Sequence, residues 1–251
     1  MAKIGVMDSG SGGLSVLREL LKVLPEEEYL YFSDNAYCPY GEKSREFILG
    51  RCRAIVEDFL SQGARGVVIA CNTATAAAIA TLRAEYPHIP FVGMEPAIKP
   101  AVLLTRSGTI GVLATESTLH SEKYLDTRER YSQGVRVVEH VGEGFVELVE
   151  SMDLHSSHTS EVVERSLTPL LEQGADTIVL GCTHYPFLIP VMQEIAGPDV
   201  NFIDPAPAAA RQLARVLQAE GILTGEGPGC VKLKSSGPTN PVRRLYEFIT
   251  A

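Results

Sequence analysis

Two cysteines stand out for what surrounds them. "GVVIACNTAT", residues 66–75, ends an apolar run on Cys71 and continues with Asn72 and Thr73. "TIVLGCTHYP", residues 177–186, ends a second run on Cys182 and continues with Thr183 and His184. A thiol at the end of a buried strand, followed by hydroxyl, amide or imidazole groups where a helix opens, sits among donors that favour a thiolate. Such a group can serve as a nucleophile or as a proton donor and acceptor. The plainer role is core packing, since free cysteine is among the most buried residue types, and that is the reading for Cys52, inside a helical pattern, and for Cys230. Zinc is disfavoured, because Cys182-x-His184 lacks the spacing of chelating cysteine pairs and the chain offers no second pair. A redox disulfide is disfavoured by the lack of any Cys-x-x-Cys. A single-nucleophile acyl transferase stays open, but it gives no reason for two such thiols.

The elements that must position these thiols repeat within the chain. "QGARGVVIACNT" from Gln62 answers "QGADTIVLGCTH" from Gln173, "IGVMDS" from Ile4 answers "IGVLAT" from Ile110, and "GMEP" ending at Pro96 answers "FIDP" ending at Pro205. Three elements in one order at nearly constant spacing point to two homologous halves. In the first half, residues 3–7, 29–33, 67–71 and 90–93 read as strands and 14–23, 44–61 and 73–84 as helices. In the second, strands fall near 109–113, 135–138, 177–181 and 200–203, and helices near 119–131, 143–150, 158–173 and 187–196. The expected fold class is α/β: two similar parallel-sheet domains related by duplication, with the active site in the cleft between them. The expected domains are 1–96 plus 206–251, the tail carrying the helix "PAAARQLARVLQAEG", and 97–205. Ligands of open parallel sheets sit beyond the carboxyl ends of the strands, where Asp8, Ser9, Cys71 and Cys182 all fall.

Composition narrows the partners. A net charge of −9 and no Lys/Arg-rich stretch argue against nucleic acid or an anionic membrane surface. No run approaches the length of a membrane span. The opening "MAKIGVMDSG" enters strand-like sequence at once, so no signal peptide is expected. Five cysteines, odd in number and sparse, fit a reducing compartment, and the expected location is cytoplasmic. "DSGSGGLSVL" follows a strand and opens a helix as phosphate cradles do. It nevertheless lacks the lysine of a P-loop and the third glycine of G-x-G-x-x-G, and Asp8 would repel a phosphate. A nucleotide-binding module is therefore a remote alternative.

Together, "IGVMDSGSGGLSVL", "SDNAYCPYG", "IACNTATA", "GVLATESTLHSEKY" and "LGCTHYPFL" resemble the glutamate racemase family, within the cofactor-independent aspartate/glutamate racemases, over nearly the whole chain. One stretch departs: His140-Val141-Gly142-Glu143 stands where the family often carries Cys-Pro. The resemblance implies interconversion of L- and D-glutamate with no cofactor and no metal, and a product that feeds peptidoglycan synthesis. It implies that Cys71 and Cys182 exchange the α-proton, one on each face of the substrate, with Asp8 assisting the first and His184 the second. It also implies substrate contacts from Asp8, Ser9, Tyr40, Gly41, Asn72, Thr73, Thr183 and His184, with Thr115, Thr118 and Glu150 lining the same site. None of these positions is Arg or Lys, so the substrate's carboxylates would be held by neutral donors and backbone N–H groups. Such donors orient a substrate without pinning either thiol in one protonation state. Aspartate is the alternative substrate, since one methylene is worth only about 1–3 kcal/mol in a pocket. A homodimer is an open expectation.

Overall fold

Runs rich in β-branched and aromatic residues become strands, and the runs between them with apolar residues on one face become helices. The computed structural model describes residues 2–223 and 227–251; Met1 and residues 224–226, inside the span assigned to the first domain, lie outside the described residues. The chain divides into two compact units, Met1–Met94 with Ala206–Ala251, and Glu95–Pro205.

The first unit alternates β1 (Lys3–Asp8), α1 (Leu14–Val23), β2 (Glu28–Ser33), α2 (Arg45–Ser61), β3 (Ala64–Ile69), α3 (Asn72–Glu85) and β4 (Phe91–Gly93). The second contains α4 (Ile98–Leu104), β5 (Thr109–Ala114), α5 (Glu116–Leu119), α6 (Glu122–Tyr131), β6 (Arg136–Val141), α7 (Phe145–Ser151), α8 (Ser157–Glu172), β7 (Thr177–Gly181), α9 (Ile189–Ala196) and β8 (Asn201–Ile203). The tail adds α10 (Ala206–Ala219), β9 (Cys230–Ser235) and α11 (Asn240–Thr250) to the first unit. Serine caps open several helices: Ser44 accepts from Phe47 N at 3.2 Å before α2, and Ser156 from Thr159 N at 3.1 Å before α8. Each such cap is worth about 1 kcal/mol.

Both sheets are parallel. The first runs β4-β3-β1-β2-β9 and the second β6-β5-β7-β8. If β1 is matched with β5, β2 with β6, β3 with β7 and β4 with β8, the two orders are the same. The internal repeat of the sequence is thus a repeat of topology. Only β9 lacks a counterpart among the described residues, extending the first sheet beyond β2. The central strands are buried along nearly their whole length, which is why they read as continuous apolar runs rather than alternating ones. In each sheet the chain crosses from its first strand to opposite sides in turn. That creates a switch point between β1 and β3, and another between β5 and β7, where a crevice opens at the carboxyl ends.

Several expectations need correction. The helix expected over 119–131 is two helices, α5 and α6, because Ser121 caps a new start, accepting from Tyr124 N at 3.3 Å. Cys230 is exposed rather than core: it opens the edge strand β9, on the face it shares with exposed Lys232 and Lys234. Lysines on an edge strand blunt its tendency to pair with another chain. Cys52 is buried on α2, as its helical pattern implies.

Candidate active-site residues

At the carboxyl end of β1, Asp8 is fully buried and its Oδ2 accepts from Gly10 N at 3.0 Å. The glycine-rich loop closes tightly over it. A Cβ at Gly13 would lie 2.5 Å from the Cβ of Asp8 and 3.1 Å from the Tyr31 hydroxyl, which itself donates to Gly10 O at 3.1 Å. The glycines therefore serve close approach to a carboxylate rather than to a phosphate. Beside this loop, Cys71 follows β3 and caps α3, its sulfur accepting from Ala74 N at 3.4 Å. The same thiol donates to Ser9 Oγ at 3.5 Å. Asn72 and Thr73, the first residues of α3, are both buried. The Asn72 Nδ2 is a buried donor with no hydrogen-bond partner. A lone buried donor costs about 1–3 kcal/mol unless something arrives to accept from it.

Tyr40 and Gly41 belong to a 3₁₀ turn, Tyr40–Glu42, after β2. Tyr40 is buried in the same core cluster as Cys52 and Cys71, and its hydroxyl donates to Asp34 Oδ2 at 2.5 Å. Burial, then the bond to Asp34, raises its pKa far above the ordinary phenol range. Arg51 of α2 grips the same carboxylate with two bonds, at 2.8 and 2.7 Å. Burial alone would raise the Asp34 pKa, but bonds from Arg51, Tyr40 and Ser236 hold it below the usual carboxylate range.

The second thiol has different company. Cys182 follows β7 and is half-buried, with its sulfur 3.7 Å from His184 Nδ1. His184 is 2% exposed, and its Nε2 lies 2.7 Å from Glu150 Oε1 on α7. Burial works against a charged imidazole. The bonds to Cys182 and Glu150 outweigh it and raise the His184 pKa well above the ordinary value. A row of thiol, imidazole and carboxylate results. Thr183 between them is buried. At the end of β5, Thr115 caps α5, with its hydroxyl 2.9 Å from that of Thr118.

The segment after Cys182 is not an α-helix start like the one after Cys71. It is a turn and a 3₁₀ helix, Tyr185–Leu188, with α9 opening only at Ile189. Pro186 supplies no N–H, and the bulky Tyr185 and Phe187 are buried beneath the turn. Tyr185 packs edge-on to Phe145 of α7, centroids 4.9 Å apart, and donates to Gly142 O at 3.2 Å. These contacts fix α7, and so Glu150, beside His184. Gly142 itself has no room for a side chain: a Cβ there would lie 2.6 Å from the Tyr185 ring.

Sequence reasoning did not single out Tyr31, Asp34, Arg51, Phe145, Tyr185, Phe187 or Ser236. Tyr185 lies inside a quoted motif and Phe145 inside a helical span, but nothing in the sequence says that the two rings meet. Arg51 lies two 3₁₀ turns and almost two turns of α2 beyond Asp34, and nothing local pairs the two.

The Asp/Glu/hydantoin racemase family model matches residues 4–213. The chain belongs to this family. A glutamate racemase of Pseudomonas paraeruginosa is 51% identical over 248 residues, covering 99% of this chain and 94% of that protein. The crystal structure of a glutamate racemase isoform from Bacillus anthracis superposes with a TM-score of 0.88 at 34% identity, over 98% of this chain and 93% of that one. Escherichia coli glutamate racemase, solved with L-glutamate and an activator, UDP-MurNAc-Ala, gives 0.87 at 31% identity over 99% and 95%. The racemase resemblance of the motifs thus extends to nearly the full length of this chain and to more than nine-tenths of these relatives. Among the described residues no helix is long and apolar enough to cross a membrane.

Proposed function

We propose that this chain interconverts L- and D-glutamate by moving the α-proton between two thiols, without a cofactor. One observation carries the reading: Cys71 follows β3 and Cys182 follows β7, equivalent strands in two sheets of the same order. Inverting a carbon centre by proton exchange needs a base on one face and an acid on the other, and a duplicated fold supplies a duplicated thiol. In one direction the Cys71 thiolate takes the α-proton and the Cys182 thiol returns a proton to the opposite face. In the other direction the roles exchange. No atom is gained or lost beyond the exchanged proton.

The α-carbon is far less acidic than a thiol, so the developing carbanion must be stabilised by fixed donors in a site that excludes water. The Asn72 amide, the Ser9, Thr73 and Thr183 hydroxyls and the backbone N–H groups opening α3 fit that task, with Tyr40 and Gly41 beside Cys71 and with Thr115, Thr118 and Glu150 beside Cys182. Asp8 assists the first thiol and His184 the second. D-Glutamate as product points to peptidoglycan synthesis as its use and to a cytoplasmic location; whether the chain works as a homodimer is read by sedimentation. Circular dichroism of the purified protein with L-Glu, D-Glu, L-Asp and D-Asp tests the reading. Loss of optical activity from both glutamate enantiomers is expected, and turnover of aspartate alone would refute it.

A further inference from the structure

One buried carboxylate ties distant stretches of the first unit to the segment that carries Tyr40. Asp34, directly after β2, accepts two bonds from Arg51 and one from the Tyr40 hydroxyl. The Arg51 guanidinium also lies over the Tyr37 ring, 4.5 Å from its centre. The tail reaches the same place. Ser236 Oγ accepts from Ala36 N at 3.1 Å, Gly237 N donates to Asn35 Oδ1 at 2.8 Å, and Asn35 Nδ2 donates to Pro238 O at 2.7 Å. These tail residues follow β9, the strand without a counterpart in the second sheet. They also lie beyond residue 213, where the family match ends, although the relative at 51% identity aligns over 99% of the chain. At the other end of the linkage, Tyr40 is packed in the cluster that holds Cys71.

We propose that Asp34, Arg51 and the tail strap at Ser236–Pro238 are positioning residues that hold Tyr40 and Gly41 against Cys71. The proposal deepens the racemase reading and rests on it for the substrate-binding role of that segment. The tyrosine's single proton is committed to Asp34, so its ring has one place to be. A bidentate arginine fixes that carboxylate in direction as well as charge. The strap then ties down the loop on its solvent side. Ordering the loop in advance removes that cost from substrate binding, and a displacement of about 1 Å at such a place can cost as much as a hundredfold in rate.

The test compares Asn35→Ala and Arg51→Lys with Lys234→Ala. The last removes a different tail contact, the Lys234–Asp58 ion pair, in which neither Asp34 nor Tyr40 takes part. Two readouts are taken on each full-length protein: KM and kcat with both glutamate enantiomers, and the iodoacetamide labelling rate of Cys71 by peptide mass spectrometry without substrate. Asn35→Ala and Arg51→Lys should raise KM about tenfold with kcat within about threefold, and speed Cys71 labelling severalfold, while Lys234→Ala changes neither. Asn35 is half-buried at the edge of the network, so Asn35→Ala gives an answer even if Arg51→Lys fails to fold. KM and labelling unchanged in Asn35→Ala, or altered equally by Lys234→Ala, would overturn the proposal. If the unmutated protein does not turn over glutamate, the racemase reading fails separately, and Cys71 labelling alone decides the strap: faster in Asn35→Ala supports it, equal rates overturn it.

Discussion

The two thiols answer to different chemistry. Cys71 is bonded to the Ser9 hydroxyl and to a helix-opening N–H, whereas Cys182 faces an imidazole backed by a carboxylate. General acid–base groups contribute about 10²–10⁴-fold, so Cys71→Ser and Cys182→Ser should each lower racemisation in both directions by that order. Either variant keeping full activity in the polarimetric assay would sink the two-base mechanism. His184 offers an independent check. Its pKa is raised in the folded protein, so the stability it contributes is fully present below the unfolded value of about 6.5 and is lost as pH rises through the folded value. Glu150→Gln keeps the acceptor but removes the charge, and the folded His184 pKa should fall. The stability advantage over Glu150→Gln should therefore be largest on the acid side of neutrality, while Glu150 is still ionised, and vanish at alkaline pH. Urea unfolding across pH measures it, and a pH-independent difference would contradict the pairing. The sequence named His184 and Glu150 singly. Their bond was not legible, because it joins residues brought together only when α7 packs against the turn after β7.

Helix starts show how far local pattern carries. "CNTATAAA" leads into alanines with good helix propensity, and α3 begins at Asn72, one residue before the start read from the sequence. "CTHYPFL" carries a proline and two large rings, and the turn after Cys182 tightens into 3₁₀ form, delaying α9. The strands were readable because buried parallel strands are nearly unbroken apolar runs. The tail elements β9 and α11 were missed: β9 alternates Val231 and Leu233 with lysines, the weaker signature of a half-covered edge strand. Two substitutions test the elements around each thiol. Gly142→Ala drives a methyl into the Tyr185 ring and should destabilise the second unit by about 1–3 kcal/mol in urea unfolding. Asn72→Ala should do the opposite kind of thing. It deletes a buried donor that has no partner, so thermal stability should hold or rise while KM for glutamate climbs about 10–100-fold. A loss of stability with unchanged KM would mean that the amide serves the fold rather than the substrate.

At the scale of the whole molecule, the repeat in the sequence and the matching strand orders describe one event, the doubling of a four-stranded parallel unit. Doubling explains why the chain has two strand-end thiols and why they differ: each copy acquired its own loop chemistry around a shared scaffold. The one lysine in the racemase motifs, Lys123, is ion-paired with Glu95 at 3.3 Å, and the cysteine spacing is poor for zinc. Dialysis against a chelator should accordingly leave the racemisation rate unchanged; activity lost and then restored by metal would contradict this. The central claim is that one thiol removes the proton and another returns one. Its most direct test is turnover in D₂O, with the α-position of each enantiomer followed from the first few per cent of conversion by mass spectrometry after chiral separation. Two bases predict that the product enantiomer carries deuterium from the outset while recovered substrate stays nearly unlabelled, from either direction. Equal early labelling of substrate and product would mean a single exchanging base and would contradict the account.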